Sequence, residues 1–335
     1  MFDNQKILIT GGTGSLGISL TKRLLQENVD SIRIFSRNEN NQIMMSRLFP
    51  NEDRLRFHIG DIRDKERLLR SMEGVDVVIH TAALKHVDIV EYNPFESVKT
   101  NVIGTQNVID ACHDLRIKVA VGISTDKAVA PLNVYGATKL LTEKLFVSAS
   151  NYVDQIQHPT NFVAIRYGNV LGSSGSVVPR FIELIRSKNE IEITDPEMTR
   201  FTITMENALE FIVNSMQKSK GSDTFVPKLK AYNIMDLKDA LFEILGKTNY
   251  KITKIRPGEK IAEVLIGMDE MRNTLESDSD YVITQGTDSE EELKKKYPNY
   301  NNVKDLKRFS SNDAEKVSKK ELIKMLEPVI DAQNN

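Results

Sequence analysis

The sequence predicts an α/β fold, a doubly wound parallel sheet with a smaller C-terminal lobe. Three observations predict it. Short β-rich runs alternate with helical runs through the first half of the chain, the pattern of a sheet covered by helices on both faces. A glycine loop joins the first strand to the first helix. The motifs that carry chemistry fall at the C-terminal ends of predicted strands, where such sheets bind ligands.

The elements follow in order. "KILIT" is the first strand, and "SLGISLTKRLLQEN" is the helix after it, with Leu and Ile at helical spacing. "SIRIFS" and "LRFHIGD" are the second and third strands, and "ERLLRSME" is a helix. "VDVVIHTA" is the fourth strand, followed by a long helix, "FESVKTNVIGTQNVIDACHDL". "KVAVGIST" is the fifth strand, "VYGATKLLTEKLFVSAS" a helix and "FVAIRYGNV" the sixth strand. From about Leu171 the pattern is irregular. Shorter strands ("IEIT", "TFVP", "KITKIR") mix with helices ("VVPRFIELIRSK", "MENALEFIVNSMQK", "IMDLKDALFEIL"). The expected division is a nucleotide-binding part over residues 1–170 and a lobe over 171–287 interleaved with the sheet. A charged, Asn-rich tail over 288–335 ends in the helix "SKKELIKMLEPVIDA".

Bulk properties narrow the function. The chain has 335 residues, 40% of them hydrophobic and 27% charged, as in an ordinary soluble globular protein. A net charge of −2 points to neither nucleic acid nor an anionic membrane as partner. The single cysteine, Cys112, rules out an intramolecular disulfide and fits a reducing compartment. It lies in "NVIDACHDL", where a small buried apolar residue is the expected role. "MFDNQKILIT" lacks the basic start and long apolar run of a signal peptide. No run approaches the roughly 18 apolar residues of a membrane span. The expected location is the cytoplasm.

The loop "TGGTGSLG" holds Gly11, Gly14 and Gly17 at G-x-x-G-x-x-G spacing. Glycine lets the backbone turn and approach a pyrophosphate, and the helix N-terminus offers free N–H groups. Thr13, Ser15 and Leu16 complete the expected cradle, and the fold is then a dinucleotide-binding Rossmann fold. At the end of the second strand, NAD sites usually place an acid for the ribose 2′-hydroxyl. Ser36 and Arg37 stand there instead, and a hydroxyl with a guanidinium suits a 2′-phosphate. NADP is the expected cofactor; the alternative is that Arg37 is a solvated surface residue. Asp61 and Ile62 would flank the adenine, although Asp61 equally suits a turn or helix cap.

The stretch "STDKAVAPLNVYGATK" begins as the fifth strand ends. Tyr135 and Lys139 are four apart, which puts both on one helix face. A dehydrogenase needs such a tyrosine as its base and such a lysine to lower the tyrosine's pKa. Ser124 or Thr125 could supply a nearby hydroxyl. Asp126 and Lys127, directly beside it, are not required for moving a hydride.

"TGGTGSLG" with "YGATK" resembles the extended short-chain dehydrogenase/reductase family. "STDKA", "YGATK", "RYGNVLGS", "GSVVPRF", "DPEMTRF" and "IRPGEK" occur in that order. With "AALKHV" and "EYNP", they resemble the soluble UDP-N-acetylglucosamine 4,6-dehydratases of the inverting type, the group that starts pseudaminic acid synthesis for flagellin glycosylation. Related capsule enzymes share most of these motifs, some without the Tyr. The match covers roughly residues 5 to 268. The resemblance implies oxidation of the sugar at position 4, loss of water across positions 5 and 6, and return of the hydride to position 6. Tyr135 would act in the first step, with Lys139 and Thr125 supporting it. Lys127 would take the proton at position 5, provided burial and nearby Lys139 keep it neutral. Asp126 would protonate the departing 6-hydroxyl. The alternative for this pair is a surface salt bridge.

The resemblance implies further contacts. Thr81 and Ala82 would line the nicotinamide side, with Val170 to Ser174 passing the ring. Lys85, Asn169, Val177 and Thr194 would meet the substrate. Arg200 and Arg256 would hold the UDP diphosphate, and Glu259 a ribose or sugar hydroxyl; each arginine alone also suits a surface ion pair. Ser174 departs from the pattern, since an Arg usually stands there. The resemblance also implies a homo-oligomer. His80, His86 and His113 lack ligand spacing, so they are read as structural and no metal is expected. A UDP-sugar 4-epimerase and a non-catalytic NADP-binding regulator are the competing readings. The epimerase does not need Asp126 and Lys127; a regulator could dispense with Tyr135 or Lys127.

Overall fold

The computed structural model describes residues 2–154, 156–173, 175–304 and 306–333. Six apolar runs form parallel strands: β1 (Lys6–Thr10), β2 (Ser31–Ser36), β3 (Leu55–Ile59), β4 (Val77–His80), β5 (Val119–Ile123) and β6 (Asn161–Ile165). Their spatial order is β3-β2-β1-β4-β5-β6, a doubly wound parallel sheet as expected. The order reverses between β1 and β4, and ligands bind in the crevice such a reversal opens. Beyond β6, Asp223–Pro227 pairs in parallel, and Asp280–Ile283, Thr274–Glu276 and Asn301–Asn302 continue antiparallel to a ten-stranded sheet.

Alternation along each strand feeds two cores, one per face. Ile7 and Ile9 pack with Leu20 and Leu24 of the helix Ser15–Leu24 and with Ile212 and Met216 of the helix Met205–Lys218. Leu8 and Val78 face the other way, toward Leu68, Cys112 and Phe146. Cys112 is buried there as expected, and burial pushes its thiol pKa up. A third cluster joins the helices Val177–Arg186 and Ile234–Leu245 to the terminal helix Lys319–Ala332.

Several features were not expected. The helix Glu39–Leu48 follows β2, capped by the Asn38 side chain, which accepts from the Asn41 N–H at 3.0 Å. The long helix before β5 carries a π segment over Val98–Ile103. The first helix ends at Leu24, short of the apolar run that suggested it. The tail is also packed. Buried Asp223 accepts from Tyr297 Oη and pairs with Lys296 at 2.8 Å, so residues after 288 are tied to the sheet. Among the described residues no helix is long and apolar enough to cross a membrane.

Candidate active site

A cleft of about 900 Å³ opens over the β1–β4 reversal. At one end, Gly11, Thr13, Gly14, Ser15, Leu16 and Gly17 line it. The helix starting at Ser15 has no acidic residue in its first turn and no side-chain cap. Its first N–H groups therefore suit an anion such as a pyrophosphate. A side chain at Gly17 would run into the Gly12 backbone, so glycine lets this helix sit close to the loop.

Ser36, Arg37, Asp61 and Ile62 line the adenosine end. Asp61 is 3.7 Å from Arg37 and accepts from Arg63 Nη2 at 2.7 Å. Burial would raise its pKa, but Arg63 and Arg37 hold the carboxyl below its ordinary value. Arg37 therefore has a carboxylate beside it, while Ser36 Oγ accepts from Gln42 at 3.1 Å and keeps its O–H free to donate. These groups fit a 2′-phosphate less completely than the sequence implies.

Thr81, Ala82, Lys85, Thr125, Lys127, Tyr135, Lys139, Asn169, Val170, Val177, Thr194, Arg200, Arg256 and Glu259 also line the cleft. Ser174 lies outside the described residues. Asp126 does not reach the cleft wall; its side chain is 0% exposed behind Lys127 and Thr125. His86, read as structural, lines the cleft. His80 bridges Thr10 Oγ1 at 2.7 Å and Thr105 Oγ1 at 3.0 Å, and burial lowers its pKa to about 3. His113 contacts the Ala149 carbonyl at 3.0 Å. Among the described residues no group of His, Cys, Asp and Glu is placed to hold a metal.

The helix Val134–Ser148 brings Tyr135 and Lys139 to the turn Asp126–Ala128. Gly136 makes this contact possible, since any Cβ there would strike the Lys127 carbonyl oxygen. Asn133 caps the helix, accepting from the Gly136 N–H at 2.8 Å, and donates to the Gly258 carbonyl at 3.0 Å. It thereby couples the catalytic helix to the segment bearing Arg256 and Glu259. Sequence reading missed Asn133, although an Asn before a helical run is a cap signal.

Two electrostatic expectations are corrected. Lys127 was expected to be neutral. Burial does push its pKa down, but Asp126 and Glu263 outweigh burial and raise it above the ordinary amine value. Its Nζ donates to Asp126 Oδ1 at 3.0 Å and to Asn169 Oδ1 at 3.2 Å, and the two carboxylates favour its charged, ammonium form. Lys139 was expected to depress the Tyr135 pKa. Burial raises that pKa and Asp126 adds to it; the opposing charge is Lys127, helped by a Thr125 hydrogen bond, and together they do not outweigh burial, so the phenol stays above its ordinary value. Lys139 donates to the Ile123 carbonyl, and burial lowers its own pKa to about 8 against the pull of Glu143.

Sequence reading also missed Arg180 and Tyr167 on the wall, and Arg166 behind it. Fully buried, Arg166 pairs with Glu143 on the catalytic helix, with Glu270 at 2.7 Å and with the Leu265 carbonyl at 2.7 Å. Strand β6, the catalytic helix and the C-terminal lobe thus meet at one guanidinium.

Fold and cleft define a dinucleotide-type sheet with a Tyr-x-x-x-Lys helix beside its reversal point, the arrangement of the extended short-chain dehydrogenases/reductases. A family model described as polysaccharide biosynthesis protein matches residues 7–285, and the chain belongs to that family. It is 47% identical over 286 residues to the UDP-N-acetylglucosamine 4,6-dehydratase (inverting) of Campylobacter jejuni serotype O:23/36, covering 85% of this chain and 84% of that protein. It is 39% identical over 276 residues to the UDP-glucose 4-epimerase of Rickettsia felis, covering 81% and 80%. The solved structure of Pen from Bacillus thuringiensis is 36% identical, covers 98% of both chains and superposes with a TM-score of 0.90.

Proposed function

We propose that the protein dehydrates UDP-N-acetylglucosamine, or a related UDP-sugar, to a UDP-4-keto-6-deoxy-N-acetylhexosamine, with inversion at position 5 and NADP as cofactor. The product would feed surface polysaccharide or glycoprotein sugar synthesis. One observation carries the reading: Lys127 donates to buried Asp126 at 3.0 Å beside Thr125 and Tyr135. The 47% identity to an inverting dehydratase supports it. The working division remains nucleotide-binding residues 1–170, substrate lobe 171–287 and tail 288–335. Cytoplasmic location is our reading of a chain with a single, buried cysteine, Cys112, and homo-oligomerisation rests on the family resemblance.

The cofactor would be held by the glycine loop, Ser36, Arg37 and Lys139, and when bound it takes the hydride from position 4 and returns it at position 6. Tyr135 would accept the 4-hydroxyl proton as a phenolate; burial opposes its ionisation, and the Lys127 charge and the Thr125 hydrogen bond offset part of that cost. The ketone then acidifies the proton at position 5. Elimination needs a neutral amine and a neutral acid. One proton moved from Lys127 Nζ to Asp126 Oδ1 supplies both. Asp126 Oδ2 has no hydrogen-bond partner among the described residues, so neutralising this buried carboxylate relieves a desolvation cost. Lys127 then takes the proton at position 5. Asp126 delivers its proton toward the 6-hydroxyl through the Thr125 hydroxyl, 3.0 Å from Oδ1 and on the cleft wall. The pair ends as it began, ammonium beside carboxylate. Return of the hydride to position 6 would leave an enolate that takes a proton at position 5 from the face opposite Lys127, giving the inversion, and loss of the proton that Tyr135 took from the 4-hydroxyl balances that uptake. Arg200 and Arg256 would hold the diphosphate, with Arg180 beside them.

Incubation with UDP-N-acetylglucosamine tests the reading by mass. A product lighter by one water is expected. The Rickettsia relative favours a second reading, a UDP-sugar 4-epimerase, which would give a product of unchanged mass. Turnover should need no stoichiometric cofactor, and reduced nicotinamide accumulating with product would contradict the dehydratase. For the cofactor, Arg37→Ala should weaken NADP by about 1.5–3 kcal/mol, the range for a hydrogen bond to a charged group, as measured by titration calorimetry. Equal wild-type affinities for NAD and NADP would remove the NADP assignment.

A further inference from the structure

We propose that Glu263, with Lys260 behind it, is a positioning residue that sets the proton occupancy of the Asp126–Lys127 pair. The inference rests on the dehydratase reading. Glu263 Oε1 is 3.6 Å from Lys127 Nζ, and its side chain is 4% exposed. Its other oxygen, Oε2, has no hydrogen-bond partner among the described residues and lies 3.7 Å from Lys260 Nζ. Lys260 is itself held, donating to the Val129 carbonyl at 2.7 Å. The Glu263 backbone is pinned on both sides: its N–H donates to Ser311 Oγ at 2.9 Å, and its carbonyl accepts from the Ser311 N–H at 2.8 Å. The carboxylate is therefore kept beside Lys127 with one oxygen unsatisfied, an arrangement that costs stability.

The groups around Lys127 alternate in sign. Asp126 lies on its own turn, Tyr135 on the catalytic helix, and Arg200 and Tyr232 on two paired strands of the lobe. Glu263 and Lys260 come from the segment between Arg256 and Leu265. Asp126 and Lys127 are productive with one proton between them. Glu263 favours keeping protons on that pair, and Lys260 tempers it. Removing the Glu263 charge should lower both apparent pKa values that bound the active form. Removing the Lys260 charge should raise both.

The test compares wild type, Glu263→Gln, Glu263→Asp and Lys260→Met on UDP-N-acetylglucosamine. Both limbs of the kcat/KM profile should move down in Glu263→Gln and up in Lys260→Met, each by on the order of one pH unit. Glu263→Asp should restore the wild-type limbs. In parallel, ¹³Cε NMR titration of labelled lysines, with Lys127 assigned through Lys127→Arg, reads the same shifts without turnover. Slower variants with unmoved limbs and an unmoved Lys127 resonance would overturn the proposal. Should Glu263→Gln not fold, Lys260→Met and Glu263→Asp decide it on the same readouts. If the Lys127 resonance shifts as expected but no water is lost from the sugar, the dehydratase reading fails and the charge coupling stands.

Discussion

Lys127→Ala should slow dehydration by about 10²–10⁴-fold, the usual cost of removing a general base, while leaving oxidation at position 4 possible but slower, because the Lys127 charge also favours the Tyr135 phenolate. Tyr135 acts on the hydroxyl at position 4, whereas Lys127 acts on the carbon-bound proton at position 5. A single-turnover experiment should show the bound nicotinamide's absorbance rising without loss of water from the sugar. Tyr135→Phe should show neither event. Because Lys127 also compensates buried Asp126, its variant should melt at lower temperature, so kinetics should be taken well below that melt. A Lys127→Ala enzyme that dehydrates at close to the wild-type rate would remove Lys127 from the elimination step.

Arg166→Ala should destabilise the fold by about 3–5 kcal/mol, the cost of removing one partner from a buried ion pair. Glu143 and Glu270 would be left facing each other without their cation. At about 2.1 cal/mol/K of unfolding entropy per residue, that is a fall of roughly 4–7 °C in Tm for a cooperative transition. Glu143→Gln should cost less, since Glu270 still neutralises Arg166. Stability should also depend on pH. Burial would raise the Glu270 pKa, but Arg166 holds it below its ordinary value. Its contribution is present above the unfolded carboxyl pKa and lost as pH falls through the folded one. A Tm for Arg166→Ala equal to wild type would show that the cluster does not hold the lobe to the catalytic helix.

What could be read from the sequence was local. The six apolar strands and the glycine loop carry their signals within a few residues, and they form the doubly wound parallel sheet expected. Asp126 and Lys127 stood out because they directly follow Thr125. The helix Glu39–Leu48 was not legible, since its buried residues are few and include Gln42, while Ile43, Met44 and Leu48 are exposed. Glu263 and Lys260 were not legible for another reason. They meet Lys127 only through the fold, so no spacing announces them. The protonation of Lys127 was misjudged on the same ground: sequence places Asp126 beside it, but only tertiary packing supplies the second carboxylate.

In the proposed reaction one sugar is oxidised, dehydrated and reduced again within a single cleft. The most direct measurement uses UDP-N-acetylglucosamine carrying deuterium at position 4. The protein should yield a 4-keto product lighter by one water, with the deuterium now on the carbon at position 6 by NMR. A product of unchanged mass with the deuterium still at position 4, or a dehydrated product without the label at position 6, would contradict it.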